Sequence, residues 1–191
     1  MPKGAPVQIC AGGFPCVACD APIRQFQDGE ESRMTPLNPT AANPIRLAVI
    51  RARWHADIVD RAPQGFRAHL PTVGLSDAVI STHDVPGAFE IPLLCQRLAR
   101  AGAADAIIAC ALVVDGGIYR HDFVASAVID GLMRVQLDEG VPVFSVVLTP
   151  HHFHDHADHQ TFFADHFERK GREAAEAVAA ILGTRKVASA A

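Results

Sequence analysis

AIIACALVV, residues 106–114, is apolar at every position. A run of that length fits one strand, and apolar side chains on both of its faces mean that both faces are covered. Such a strand belongs in the middle of a parallel sheet. Working outward from it, three more β-rich runs recur: IRLAVIRA (45–52), nearly continuous in apolar residues; AVISTHDV (78–85), whose polar alternation marks an edge; and VPVFSVVL (141–148). Between them the apolar spacing turns helical. Ile58, Ala62, Phe66 and Leu70 form one stripe over 55–70, although Pro63 and Gly65 interrupt it. Ile91, Leu94, Cys95, Leu98 and Ala99 line a helix over 88–101, with Pro92 in the first turn where its missing N–H does little harm. Val124, Ala127, Val128, Leu132 and Val135 point inward over 121–139, and Ala174, Ala177, Val178, Ile181 and Leu182 do so over 168–182. Strands separated by helices require right-handed crossovers and a four-stranded parallel sheet flanked by helices on both faces.

The composition narrows the class further. The chain has 191 residues, 49% of them hydrophobic, and a net charge of −4. That size suits one compact α/β domain. No run approaches the ~18 apolar residues of a membrane span, so no membrane partner is expected. A mildly acidic chain also lacks the basic stripe that nucleic acid demands. The five cysteines (Cys10, Cys16, Cys19, Cys95 and Cys110) are odd in number, and two lie in apolar stretches, which argues for a reducing, cytoplasmic setting. Cys16-Val-Ala-Cys19 lacks the second ligand pair of a zinc site. Residues 1–44, rich in Gly, Pro, Ser and Asn, read as a flexible N-terminal extension without a signal peptide, with residues 45–191 as the folded domain. Met34, just ahead of the first periodic segment, is a candidate natural start.

Ligands of open α/β sheets bind beyond the carboxyl ends of the strands, so the loops there hold the candidates. After the first strand comes Arg53-Trp54-His55, where the only Trp either seals the core or stacks on an aromatic ligand. After the second comes HDVPGAFEIP (83–92). There Gly87 permits close backbone approach, and Glu90 serves either as an N-terminal helix charge or as an acceptor for a polyol. After the third comes DGGIYRHD (115–122), whose Gly116-Gly117 pair can form an anion nest ahead of Arg120 and His121. Arginine brings a permanent charge and histidine a proton that moves near neutral pH; a plain exposed Arg-His pair is the alternative. After the fourth comes TPHHFHDHADH (149–159). Six of the ten histidines fall within 151–166, but their irregular spacing does not describe a required metal site, and none is expected.

RARWHADIV, DVPGAFEIP and VVDGGIYRHDFVA, in this order and spacing, together resemble the 6,7-dimethyl-8-ribityllumazine synthase family over about residues 45–182, with VPGAFEIP the most specific signal. The third segment and VVLTPHHFHDH resemble its second, typically decameric subtype. The resemblance implies a flavodoxin-like three-layer sandwich and a transferase of riboflavin biosynthesis. Its reaction joins 5-amino-6-(D-ribitylamino)uracil to 3,4-dihydroxy-2-butanone 4-phosphate through a Schiff base, loss of phosphate and ring closure, with no metal or organic cofactor. It also implies self-association as a pentamer or decamer, with each site at a subunit interface. Trp54 takes the place of the residue stacking on the pyrimidine, and Ala88, Phe89 and Glu90 match contacts to the pyrimidine and ribityl chain. Leu112, Val113 and Val114 match the pocket wall, and Ser145 matches a position supplied by the adjacent subunit.

Several positions depart from that pattern. Arg120, not His121, falls at the family's catalytic histidine, and since a guanidinium is no base at neutral pH the expected proton carrier is His121. Gly117 and Ile118 stand where the family has a small residue and a threonine on the phosphate, so a hydroxyl donor is lost. The family's phosphate-binding arginine falls at His159, which predicts weaker phosphate binding that improves as this imidazole is protonated. A catalytically weak paralogue that binds lumazine or flavin is the alternative reading, and a histidine-rich metal-binding protein is a third.

Overall fold

The computed structural model describes residues 44–116, 120–151, 153–154 and 156–188, with side chains through Leu182. The N-terminal extension with Met34 and its three cysteines lies outside the described residues, as do Gly117, Ile118 and His152. Four strands, β1 (Arg46–Ala52), β2 (Val79–Val85), β3 (Ala106–Leu112) and β4 (Val143–Leu148), form one sheet in the order β2-β1-β3-β4. Every pair is parallel, with Ile50 opposite His83 and Ala109, and Leu112 opposite Leu148. The apolar run that set the fold is buried along the whole of β3, and the polar strand β2 lies at an edge.

Alternation along the strands divides the core in two. Leu47 and Val49 of β1 and Ile108 and Cys110 of β3 face α1 (Ala56–Val59), α2 (Arg61–His69) and α5 (Ala157–Ala188), packing on Ile58, Phe66, Phe167 and Val178. Ala48, Ile50, Ile107 and Ala109 face α3 (Ile91–Arg100) and α4 (His121–Glu139), packing on Ile91, Cys95, Val128 and Leu132. This is the expected three-layer α/β arrangement. Burial pushes the Cys95 and Cys110 thiols up to about 12, so neither is a nucleophile at neutral pH.

Several boundaries differ from the sequence reading. The helix expected over 55–70 is two, α1 and α2, broken at Asp60 and followed by a 3₁₀ turn at Leu70–Val73. Pro63 has no N–H for the carbonyl of Val59, and restarting the helix at Arg61 places the proline in a first turn, where nothing is lost. The stripe Ile58, Ala62, Phe66 and Leu70 is buried all the same. In α4 the exposed Ala127 is not inward; Ala125 takes its place beside Val128, Leu132 and Val135. The opposite face of α4 is also apolar, with Phe123, Met133 and Leu137 exposed, so periodicity alone misplaced the stripe. The last helix spans residues 157–188 rather than 168–182. Its inward set is Phe167, Ala174, Ala175, Val178 and Leu182, while Ile181 is exposed and Ala177 half-buried. His159 and His166 therefore ride on a helix, not on a loop. Among the described residues no helix is long and apolar enough to cross a membrane.

The backbones of α2 and α5 come into direct contact at two glycines. A Cβ on Gly65 would overlap the carbonyl oxygen of Glu168, and one on Gly171 would overlap that of Ala62. The two glycines let the backbones touch, and Arg61 bridges to Glu168 beside them. Gly171→Ala should therefore lower stability by about 3 kcal/mol, because the obstacle is backbone that cannot rotate aside. Urea denaturation checks this; a midpoint within error of the unchanged protein would refute the packing argument.

Candidate active site

The carboxyl ends of β1, β2 and β3 open on a cleft of about 300 Å³. One wall is Trp54 and His55 from the turn after β1, and a second is Ala88 and Phe89 from the 3₁₀ turn after β2. The floor is Leu112, Val113 and Val114, and the far side is Gly116 with His121 and Val124 at the start of α4. The lining is mainly apolar with two imidazoles, the composition expected of a site for a flat, partly polar molecule.

Each wall has a local cause. Trp54 is 69% exposed, so it does not seal the core. Its ring lies against Gly87, where a Cβ would stand 3.2 Å from the indole and 3.3 Å from Glu90 Oε2. His55 has φ 55° and ψ 45°, the one non-glycine residue with positive φ among those described. From that conformation its carbonyl accepts the N–H groups of Ile58 (3.1 Å) and Val59 (2.9 Å), starting α1. Phe89 is 66% exposed, and Glu90 Oε2 accepts the Gly87 N–H at 2.9 Å, closing the turn that presents Ala88 and Phe89.

Arg120 and His121 are neighbours with different surroundings. Arg120 Nη2 donates to Asp122 Oδ2 at 2.7 Å and its guanidinium lies 4.3 Å from the centre of the Phe123 ring. That hydrogen bond holds the Asp122 carboxyl below its usual range. His121, the first residue of α4, lines the cleft. Of the residues expected from sequence, the structure thus brings together Trp54, Ala88, Phe89, Leu112, Val113, Val114, Gly116 and His121 in one cleft. Glu90 stands behind the turn, and Arg120 turns to Asp122. Gly117 lies outside the described residues. Ser145 is exposed on the edge strand β4, and His159 sits in the first turn of α5; neither lines this cleft. Sequence reasoning missed His55 and Val124 as lining residues. His55 had one weak signal, since histidine is among the few side chains that tolerate positive φ.

The histidine-rich segment forms an aromatic chain instead of converging. Phe153 meets the cleft residue His55 edge-on at 5.2 Å and Phe163 at 5.5 Å, while His159 lies 5.4 Å from His154 and 6.1 Å from Phe163. His159 Nδ1 accepts the His154 backbone N–H at 3.3 Å. Among the described residues no three His, Cys, Asp or Glu side chains gather as metal ligands. Further along α5, His166 stacks on Phe162 and is bonded to Arg169. Burial first, then the charges of Arg169 and Lys170, lower its pKa from 6.5, against a smaller opposing effect of Glu173.

Comparison with known proteins gives a consistent result. Residues 44–186 match the family model described as 6,7-dimethyl-8-ribityllumazine synthase. A 6,7-dimethyl-8-ribityllumazine synthase of Rhodococcus erythropolis is 60% identical over 141 residues, 74% of this chain and 91% of that protein. A 6,7-dimethyl-8-ribityllumazine synthase 2 of Pseudomonas syringae pv. tomato is 55% identical over 134 residues, covering 70% of this chain and 79% of the relative. One of Bradyrhizobium diazoefficiens is 48% identical over 151 residues, 78% and 90% of the two chains.

Two outcomes follow from this geometry. Gly87→Ala should shift the indole by a few tenths of an ångström and change the emission of Trp54, with stability altered by about 1 kcal/mol or less; unchanged emission would show that the ring does not rest on that turn. His166 is neutral in the fold and has its pKa lowered, so its effect on stability is nil above pH 6.5. As pH falls through that value the unfolded chain gains the proton first, and stability declines toward the folded pKa. Melting curves of His166→Gln across pH 7.5 to about pH 5 should show a shallower decline than those of the parent.

Proposed function

The chain belongs to the 6,7-dimethyl-8-ribityllumazine synthase family, and we propose that it joins 5-amino-6-(D-ribitylamino)uracil to 3,4-dihydroxy-2-butanone 4-phosphate, giving 6,7-dimethyl-8-ribityllumazine, phosphate and water in riboflavin biosynthesis. The observation that carries this reading is the cleft itself, with Trp54, Ala88, Phe89, the Leu112–Val114 floor and His121 on its sides. A flat pyrimidine lies against the Trp54 ring, and the exposed Phe89 is covered by the same ligand. The ribityl chain runs past Ala88 to Glu90, whose second carboxylate oxygen is an acceptor beyond the one holding Gly87.

The chemistry needs proton transfers and little else. The 5-amino group adds to the ketone, water leaves to form the imine, phosphate is eliminated, and the second amine closes the ring with loss of water. Two imidazoles, His55 and His121, line the cleft, and His121 at the start of α4 is the one assigned to taking and giving the proton. Arg120, held by Asp122 at the rim, supplies positive charge near the phosphate. No metal or organic cofactor enters these steps.

Self-association completes the proposal. Ser145 and His159 do not line the cleft of their own chain, so their contribution comes from an adjacent subunit of a pentamer or decamer. The exposed Phe123, Met133 and Leu137 of α4, with Leu93 of α3, form the kind of apolar surface that an interface covers. The described cysteines are free, which suits the cytoplasm as its compartment.

Turnover of the purified protein with both substrates, followed by lumazine absorbance, tests the reading. Product should form, His121→Ala should lower kcat by about 100-fold, and Arg120→Ala should act mainly on KM for the phosphate substrate. Lumazine binding without product would favour a catalytically weak paralogue instead. His159→Ala should raise KM for the phosphate substrate about threefold, since the imidazole is a hydrogen-bond partner for the phosphate; an unchanged KM would remove His159 from phosphate recognition.

A further inference from the structure

Four charged residues are used by neither the core nor the proposed chemistry: Arg51, Arg53 and Asp84 at the carboxyl ends of β1 and β2, and Asp60 between α1 and α2. Arg51 lies on the same face of β1 as the buried Leu47 and Val49, and its side chain is only 24% exposed. Its guanidinium donates from all three nitrogens. Nε and Nη2 reach Asp84 Oδ1 (2.7 Å) and Oδ2 (3.0 Å), and Nη1 reaches Asp60 Oδ1 (3.0 Å). Arg53 Nη1 shares that last oxygen at 2.9 Å. Arg51 and Asp84 are also direct partners in the strand register.

The position of this bridge matters more than its strength. Trp54 and His55 follow Arg51 by three and four residues, and Ala88 and Phe89 follow Asp84 by four and five. Asp60 is the corner between α2 and α1, and α1 begins on the carbonyl of His55. One guanidinium thus ties together the bases of both cleft walls and the helix behind them. Between the walls the Arg53 N–H donates to Val85 O at 2.9 Å. The Trp54 ring rests on Gly87 without a hydrogen bond of its own among the described contacts, so the spacing of the two strand ends decides where it stands. Partly exposed ion pairs add little to stability, but a bidentate fork adds geometric definition.

We propose that Arg51 is a positioning residue: its fork to Asp84 and its bond to Asp60 fix the spacing between the Trp54 wall and the Ala88–Phe89 wall of the cleft. This rests on the cleft being the lumazine site only for its binding readout. Arg46 provides a control on the same strand. At the amino end of β1, Arg46 Nη2 donates to Asp105 Oδ1 at 2.9 Å and Nη1 to Gly102 O at 2.6 Å, a comparable bridge at the opposite end of the sheet.

The test uses the full chain and its single Trp as a reporter. Arg51→Gln and Asp84→Asn should each enlarge the fast, nanosecond component of the Trp54 anisotropy decay about twofold in the ligand-free protein. Each should also raise the Kd for 6,7-dimethyl-8-ribityllumazine, read by quenching of Trp54, about tenfold. The double variant should be no worse than either single one, because the residues act through one bridge. Arg46→Gln should lower Tm to a similar degree while leaving anisotropy and Kd within about twofold of the parent. Arg51→Gln without effect on the anisotropy decay, or Arg46→Gln with an equal effect on it, overturns the proposal. A parent protein that does not bind the lumazine overturns the proposed function instead, and the anisotropy comparison still decides the role of Arg51.

Discussion

A four-stranded parallel sheet must be covered on both faces, and on one of them three helices compete for the width of the inner strands. The solution is the contact between α2 and α5 at Gly65 and Gly171, where each glycine faces a backbone carbonyl of the other helix. Side chains there would push α5 outward and open Phe66 and Phe167, both fully buried, to water. Each such ring contributes about 2–3 kcal/mol by burial. The helix crossing therefore determines how deeply Leu47, Val49 and Ile108 are enclosed, and through them the position of β1 and β3.

From that crossing the cleft follows by topology. With the order β2-β1-β3-β4 the chain leaves β1 toward one edge and returns to β3 on its other side, so the loops after β1 and β3 diverge. The gap between them is where Trp54, Ala88, Phe89 and the end of β3 face one another. Two large aromatic side chains left two-thirds exposed are unfavourable in an isolated globule, but they are expected where a flat ligand covers them. α2 links the two features, since it packs on α5 at one end and is joined through Asp60 and α1 to the turn carrying Trp54.

What could be read from sequence tracks how local its cause is. The apolar run of β3, the polar edge strand β2 and the span of α4 were legible, because burial on two faces, alternation and helical apolar spacing leave direct marks. Most of the cleft was legible too, since VPGAFEIP and VVDGG lie directly at strand ends. The remainder depends on tertiary contacts. The start of α5 among His, Asp and Phe residues has no apolar period to reveal it, and is set by packing of Phe163 and Phe167 on the core. The swap of Ala125 for Ala127 in α4 could not be seen in a helix that is apolar on both faces. His55 became a lining residue only because the turn forces it into the left-handed region.

The adjacent pair Arg120 and His121 shows how the fold assigns chemistry among similar candidates. Arg120 has an extended backbone, φ −71° and ψ 108°, as the residue preceding α4, whereas His121 begins the helix. Arg120 precedes the helix and His121 opens it, and of the two only His121 lines the cleft. Asp122 decides which, because a carboxylate in the first turn is favoured by the helix dipole and captures the guanidinium beside it. In the proposed reaction this division is useful: a charge that never leaves stays at the rim where phosphate departs, and the group that exchanges protons stays against the imine.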